Sequence, residues 1–164
     1  AQAMFQQLVM EGVTDIFSLP GAQIMAAFDA LHDMQDQINL IHTRHEQATT
    51  YMADGYSRAG GGIGTALVVP GPGLQNASAG IGTAYSASSP ILVVSGQIER
   101  DHIGLERGML HEIKGQIETI RGLLIDCFFF LIEMTLSLSA VNAQTRWGEV
   151  FFARKMRGVR FFFS

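Results

Sequence analysis

The side chains in this sequence that could do chemistry fall in a few short stretches. His42 and His45 lie three residues apart and are followed at once by Glu46. Glycines at 60, 62 and 64 precede an apolar run, and Pro70-Gly71-Pro72-Gly73 follows it, with Asn76 close behind. His111-Glu112 precedes Lys114. Two histidines at that spacing could share a helix face, but a zinc site needs further ligands. No HExxH or wider ligand cluster supports one, so no metal ligands are assigned. The glycines at 60, 62 and 64 are spaced by two throughout, and Gly71 and Gly73 are followed by Asn76 where a dinucleotide loop would place its third glycine. A phosphate loop needs Gly-Lys-Ser/Thr, whereas Lys114 precedes Gly115 and the other lysine is Lys155. Glu46 stands at the start of a helical stretch, where the peptide dipoles favour an acid whatever its further role. Beside it stand two rigid turns, Pro20-Gly21 and Pro70 to Gly73.

These residues need a frame, and the spacing of apolar residues supplies one. Val13 to Leu19 predicts a strand stopped by Pro20-Gly21, and Ile24, Ala27, Phe28 and Leu31 at i, i+3, i+4 and i+7 predict a helix with one buried face. Ile38 to His42 predicts a second strand, Glu46 to Arg58 a helix, Gly64 to Val69 a third strand, Leu74 to Ser88 a helix rich in small residues, and Ile91 to Ser95 a fourth strand. Runs such as ALVV and ILVV are apolar on both faces, as central strands of a parallel sheet must be when helices cover both sides. The expected class is α/β, an open parallel sheet with helices on both faces, incomplete at its C-terminal end. Such sheets bind ligands beyond the carboxyl ends of their strands. Those ends are Pro20-Gly21, His42 to Glu46, Pro70 to Gly73 and Gly96-Gln97. Met25, Tyr51 and Met52 read as helix packing residues.

Composition bounds the function. The 164 residues make one ordinary domain, 48% hydrophobic and 16% charged, which is too apolar for a disordered chain. A net charge of -4 offers no footprint for nucleic acid or an anionic membrane, so neither is an expected partner. The single cysteine, Cys127, cannot form an internal disulfide, and a cytoplasmic location is expected. The chain is not uniform. Residues 1–122 carry six Lys/Arg against twelve Asp/Glu, residues 123–164 carry five against three, and eight of the eleven Phe lie in the latter segment. We therefore expect a domain over 1–122 and an atypical Phe-rich tail over 123–164, consistent with a fragment or with a reading frame that changes near residue 122. Residues 123–141 are long enough for a membrane span, but Asp126 and Glu133 interrupt them, and an acid near mid-span costs about 2.5 to 3.5 kcal/mol on insertion scales.

Three segments in register carry more information than their spacing. They are GVTDIFSLPGAQIMAAFDAL, HTRHEQATTYMADGYSRAGG and GTALVVPGPGLQNASAGIGTAYSASSPILVVSG. Together they closely resemble the N-terminal pyrimidine-binding domain of thiamine diphosphate enzymes of the acetolactate synthase and 2-oxo acid decarboxylase group. The likeness runs from about Glu11 to Arg121. It implies that Glu46 is the catalytic glutamate, set in a dry site, hydrogen-bonding the ring nitrogen of the cofactor's aminopyrimidine so that the adjacent nitrogen can take a proton from the thiazolium carbon. It implies cofactor contacts from Pro20 and Gly21 after the first strand, and from Pro70, Gly71, Pro72 and Gly73 in the loop approaching the aminopyrimidine, with Asn76 tying that loop down. Ala22 and His111 are implied as substrate-side residues, His111-Glu112 standing where many relatives have Gln-Glu. The family's diphosphate and Mg2+ site is marked by Gly-Asp-Gly and a later Asn, for which Asp54-Gly55 with Asn76 is a decoy inside a helix. The resemblance thus implies thiamine diphosphate as cofactor, Mg2+ only through a missing or partner domain, and a homo-oligomer or a partner chain carrying that domain. It implies a 2-oxo acid as substrate, transferase or lyase chemistry, and no turnover by the chain alone. The alternative is a non-catalytic assembly or regulatory module that pairs with a full-length enzyme.

Overall fold

The computed structural model describes residues 1–123, 132–134 and 146–152. Most of the apolar stretch 123–141 considered above as a membrane span lies outside the described residues. No helix among the described residues is long and apolar enough to cross a membrane.

Four parallel strands form the frame: β1 (Asp15–Ser18), β2 (Asn39–His42), β3 (Gly64–Val68) and β4 (Ile91–Glu99). The helices are α1 (Gln2–Met10), α2 (Met25–His32), α3 (Glu46–Arg58) and α4 (Pro72–Ala87). Two further strands, β5 (Ile132–Met134) and β6 (Arg146–Phe152), extend the sheet antiparallel to it, in the order β2-β1-β3-β4-β6-β5. The parallel α/β frame is the one expected; the antiparallel pair is an addition at one edge.

The run ALVV illustrates why the apolar strands need two helical layers. Leu67 and Val69 point into one core with Ile16, Leu92 and Val94, and Ala66 and Val68 into the other with Phe17, Ile91 and Val93. This is the two-residue alternation of a pleated strand buried on both faces. The first layer is α1 and α2, contributing Phe5, Leu8, Ala27 and Leu31; the second is α3 and α4, contributing Ala53, Leu74, Ala77, Ile81 and Ala84.

Several boundaries differ from the sequence reading. β1 is shorter than Val13 to Leu19, while β4 runs on to Glu99, beyond Ser95. α4 begins at Pro72, inside the Pro-Gly motif, because a proline at the first helical position loses no hydrogen bond and already has the helical φ. α1 was not foreseen; it buries Met4, Phe5 and Leu8. Met25, Tyr51 and Met52 do not pack inward: they are 65%, 42% and 40% exposed.

Candidate functional site

The strand order places the site. From β1 the chain steps to β2 on one side, and from β3 it steps to β4 on the other, so β1 and β3 are neighbours whose following loops diverge. A crevice opens beyond the carboxyl ends at such a switch point. Ser18 Oγ donates to Leu67 O at 2.7 Å and Thr43 N donates to Ser18 O at 2.9 Å, stitching the ends of the three strands together beneath it.

Glu46 enters this crevice from the first turn of α3. His45 caps the helix in extended backbone, its Nδ1 accepting from Gln47 N at 3.2 Å, so the next residue is turned back toward the sheet. Glu46 is 8% exposed. Its Oε2 accepts a hydrogen bond from Asn76 Nδ2 at 3.1 Å, and its Oε1 lies beside Gly73, where an added Cβ would come within 3.4 Å. Asn76 therefore anchors the carboxyl group of Glu46, whereas the sequence assigned it to the Pro70 to Gly73 loop. The contact exists because α3 and α4 approach closely. Thr50 Oγ1 donates to Ala77 O at 2.9 Å, and a Cβ on Gly80 would strike Thr50.

The loop after β3 forms the opposite wall. Gly71 has φ +60° and ψ -116°, a conformation that L side chains rarely adopt, and a Cβ there would run into the carbonyl of His111. Gly71 N donates to Gln116 Oε1 at 2.8 Å, and Gln116 Nε2 donates to Gly96 O at 3.1 Å. Val69 fills the space between the loops: a Cβ on Gly21 or on Gly73 would meet its methyl groups.

The remaining sequence-predicted residues sit on the flanks. Pro20 and Pro72 are exposed, and Pro70 is buried against Gly96. Ala22 opens onto a small cavity of about 180 Å³ shared with Gln97, Met109 and Leu110, and Gln23 Nε2 donates to Leu110 O at 3.3 Å. His111 has φ +69°, unusual for a residue with a side chain, and its buried Nδ1 has no hydrogen-bond partner. A larger cavity of about 530 Å³ lies next to this segment, lined by Gln97, Ile98, Glu112, Lys114 and Gln116 among others. Among the described residues no group of three His, Cys, Asp or Glu could hold a metal ion. Gln116 is the residue that sequence reasoning missed. Its role comes from a fold contact 45 residues away in the chain, and no local pattern signals it.

Known proteins place this arrangement. Residues 1–119 match the family described as thiamine pyrophosphate enzyme, N-terminal TPP binding domain. The acetolactate synthase isozyme 3 large subunit of Escherichia coli strain K12 is 42% identical over 106 residues, which is 65% of this chain and 18% of that protein. The acetolactate synthase large subunit of Buchnera aphidicola subsp. Schizaphis graminum is 43% identical over 106 residues, 65% of this chain and 18% of that protein. A probable 2-ketoarginine decarboxylase of Pseudomonas aeruginosa is 37% identical over 115 residues, 70% of this chain and 20% of that protein. The matched part of the chain spans about a fifth of the length of these curated relatives.

Proposed function

This chain belongs to the thiamine pyrophosphate enzymes through their N-terminal TPP binding domain, and from that premise we propose that it forms the pyrimidine-binding half of a site acting on 2-oxo acids. The reaction class is that of an acetolactate synthase or a decarboxylase, transferase or lyase. The functional unit is residues 1–122, with 123–164 outside the family's pattern, and its setting is cytoplasmic.

The observation that carries this reading is the buried carboxyl group of Glu46, held by Asn76 at 3.1 Å on one oxygen and bordered on the other by a glycine. The residues present fit the aminopyrimidine end of the cofactor: a carboxyl group out of water can hold and exchange one proton with a ring nitrogen, and Gly73 leaves the space a flat ring needs. When bound, thiamine diphosphate would supply a thiazolium that accepts the electron pair released as a 2-oxo acid loses CO2. Glu46 would fix the ring by a hydrogen bond from its carboxyl group, while Asn76 restricts rotation of that group. Val69, wedged between Gly21 and Gly73, would keep water from the ring's edge. Pro20, Gly21 and Pro70 to Gly73 would form the walls, and Ala22 and His111 would face the substrate side. The cofactor's diphosphate and Mg2+ we assign to a diphosphate domain outside this chain's matched part, carried by a partner chain.

Such a half-site should bind weakly alone, because association freedom is lost without the metal-anchored diphosphate to offset it. Calorimetric titration of the folded chain with thiamine diphosphate and Mg2+, with and without a related diphosphate domain in trans, checks this. Tight binding that requires the added domain and disappears in Glu46→Ala is the expected result. A folded chain that binds under no condition contradicts it and leaves the assembly or regulatory module as the reading.

A further inference from the structure

From the geometry around Gly71 we infer that Gln116 is a positioning residue, a latch that holds the Pro70 to Gly73 loop open for a ligand beside Glu46; this rests on the function proposed above. Gly71 occupies a backbone conformation with φ +60° that is costly outside glycine, and a glycine's wide backbone freedom leaves its setting to outside contacts. Two contacts from one downstream segment fix it. The carbonyl of His111 occupies the space a Cβ on Gly71 would need, and the side chain of Gln116 accepts the Gly71 N–H at 2.8 Å. Gln116 is 4% exposed and spends its other amide group on Gly96 O at 3.1 Å, at the end of β4. The amide is thereby oriented without ambiguity, since the acceptor must face the N–H and the donor must face the carbonyl. A primary amide is the side-chain group of this length that bridges a backbone donor to a backbone acceptor. A methionine of similar shape would do neither, and a glutamate carboxylate would keep the first bond and oppose the second. The segment 111–116 thus ties the cofactor-side loop to β4, and with it the first turn of α4 that places Gly73 and Asn76 around Glu46.

The test is nuclear magnetic resonance on the full chain and its Gln116→Met and Gln116→Glu variants. Amide hydrogen exchange is read at Gly71 and at Val93 in the core, and thiamine diphosphate with Mg2+ is titrated with and without a related diphosphate domain in trans. The expected result is exchange at Gly71 about tenfold faster in Gln116→Met, the fold-change of one lost buried hydrogen bond, with Val93 unchanged. Protection at Gly71 should be largely retained in Gln116→Glu, and ligand affinity should fall in Gln116→Met in step with the lost protection. Unchanged exchange at Gly71, or equal acceleration at Gly71 and Val93, overturns the latch, the latter by showing general destabilisation. Faster exchange at Gly71 with unchanged affinity overturns its link to the ligand. A wild-type chain that binds no thiamine diphosphate even with the diphosphate domain present, while Gly71 still depends on Gln116, refutes the proposed function and supports the latch.

Discussion

The two helical layers covering the sheet are built of different materials. Under α1 and α2 the sheet meets large side chains, Phe5, Leu31, Ile24 and Met34, each almost wholly enclosed. Under α3 and α4 the small Ala53, Ala77 and Ala84 alternate with Leu74 and Ile81, and Thr50 meets Gly80 in the seam between the helices. The large residues supply transfer free energy and little positional demand, because a bulky apolar layer tolerates repacking. The small ones let two helix starts come together. Glu46 on α3 reaches Asn76 and Gly73 on α4 where, behind them, Thr50 packs directly against Ala77 and Gly80. One layer therefore stabilises the domain and the other shapes its site. Substitutions in the two should separate stability from binding.

The largest effect should come from the first layer. Leu31→Ala removes a side chain that is 1% exposed and leaves a cavity, which costs about 2 to 5 kcal/mol. Denaturant unfolding should show that loss, while the fraction that remains folded binds thiamine diphosphate as the wild type does. Gly80→Ala should cost less, about 1 to 3 kcal/mol by overpacking, since its methyl group would meet Thr50 and the backbone nitrogen of Tyr51. It should nevertheless weaken binding in the folded fraction by displacing Asn76 from Glu46. Equal binding in both variants would dissolve the distinction between the layers.

The smallest effect should lie outside both, at the far end of the sheet. The Thr14 hydroxyl, with Asn39 and Tyr56 adding to it against the opposing effect of burial, holds the Asp15 carboxyl below its ordinary value. A lowered carboxyl pKa contributes stability above the ordinary value of 3.8 and loses it as pH falls through the folded-state value. Asp15 is only half-buried at the sheet's end, so after solvent screening Asp15→Asn should cost only a few tenths of a kcal/mol at neutral pH. Thermal melts at pH 7 and near pH 2 should show that difference shrinking in acid, with binding untouched at neutral pH.

Sequence patterns made much of this legible. The apolar runs at 64–69 and 91–95 declared strands covered on both faces, and Glu46 at a helix start declared itself by its neighbours. Helix α1 escaped because it has no side-chain cap and no acid in its first turn. Met25, Tyr51 and Met52 were read inward on chemical type, but the buried positions of α3 belong to Thr49, Thr50 and Ala53, which leaves Tyr51 and Met52 outward. Asn76 and Gln116 could be placed only by tertiary contact: a polar side chain in a sequence carries no record of which distant backbone group or carboxylate it will meet.

The central claim is the contact between Glu46 and the cofactor's ring nitrogen. Thiamine diphosphate carrying 15N in its pyrimidine ring, mixed with Mg2+, the full chain and a related diphosphate domain, allows that nitrogen to be observed directly. We expect its resonance to move to that of a hydrogen-bonded, proton-sharing nitrogen on binding, and the movement to be lost in Glu46→Gln. The same bound resonance in both proteins would contradict the assignment of Glu46.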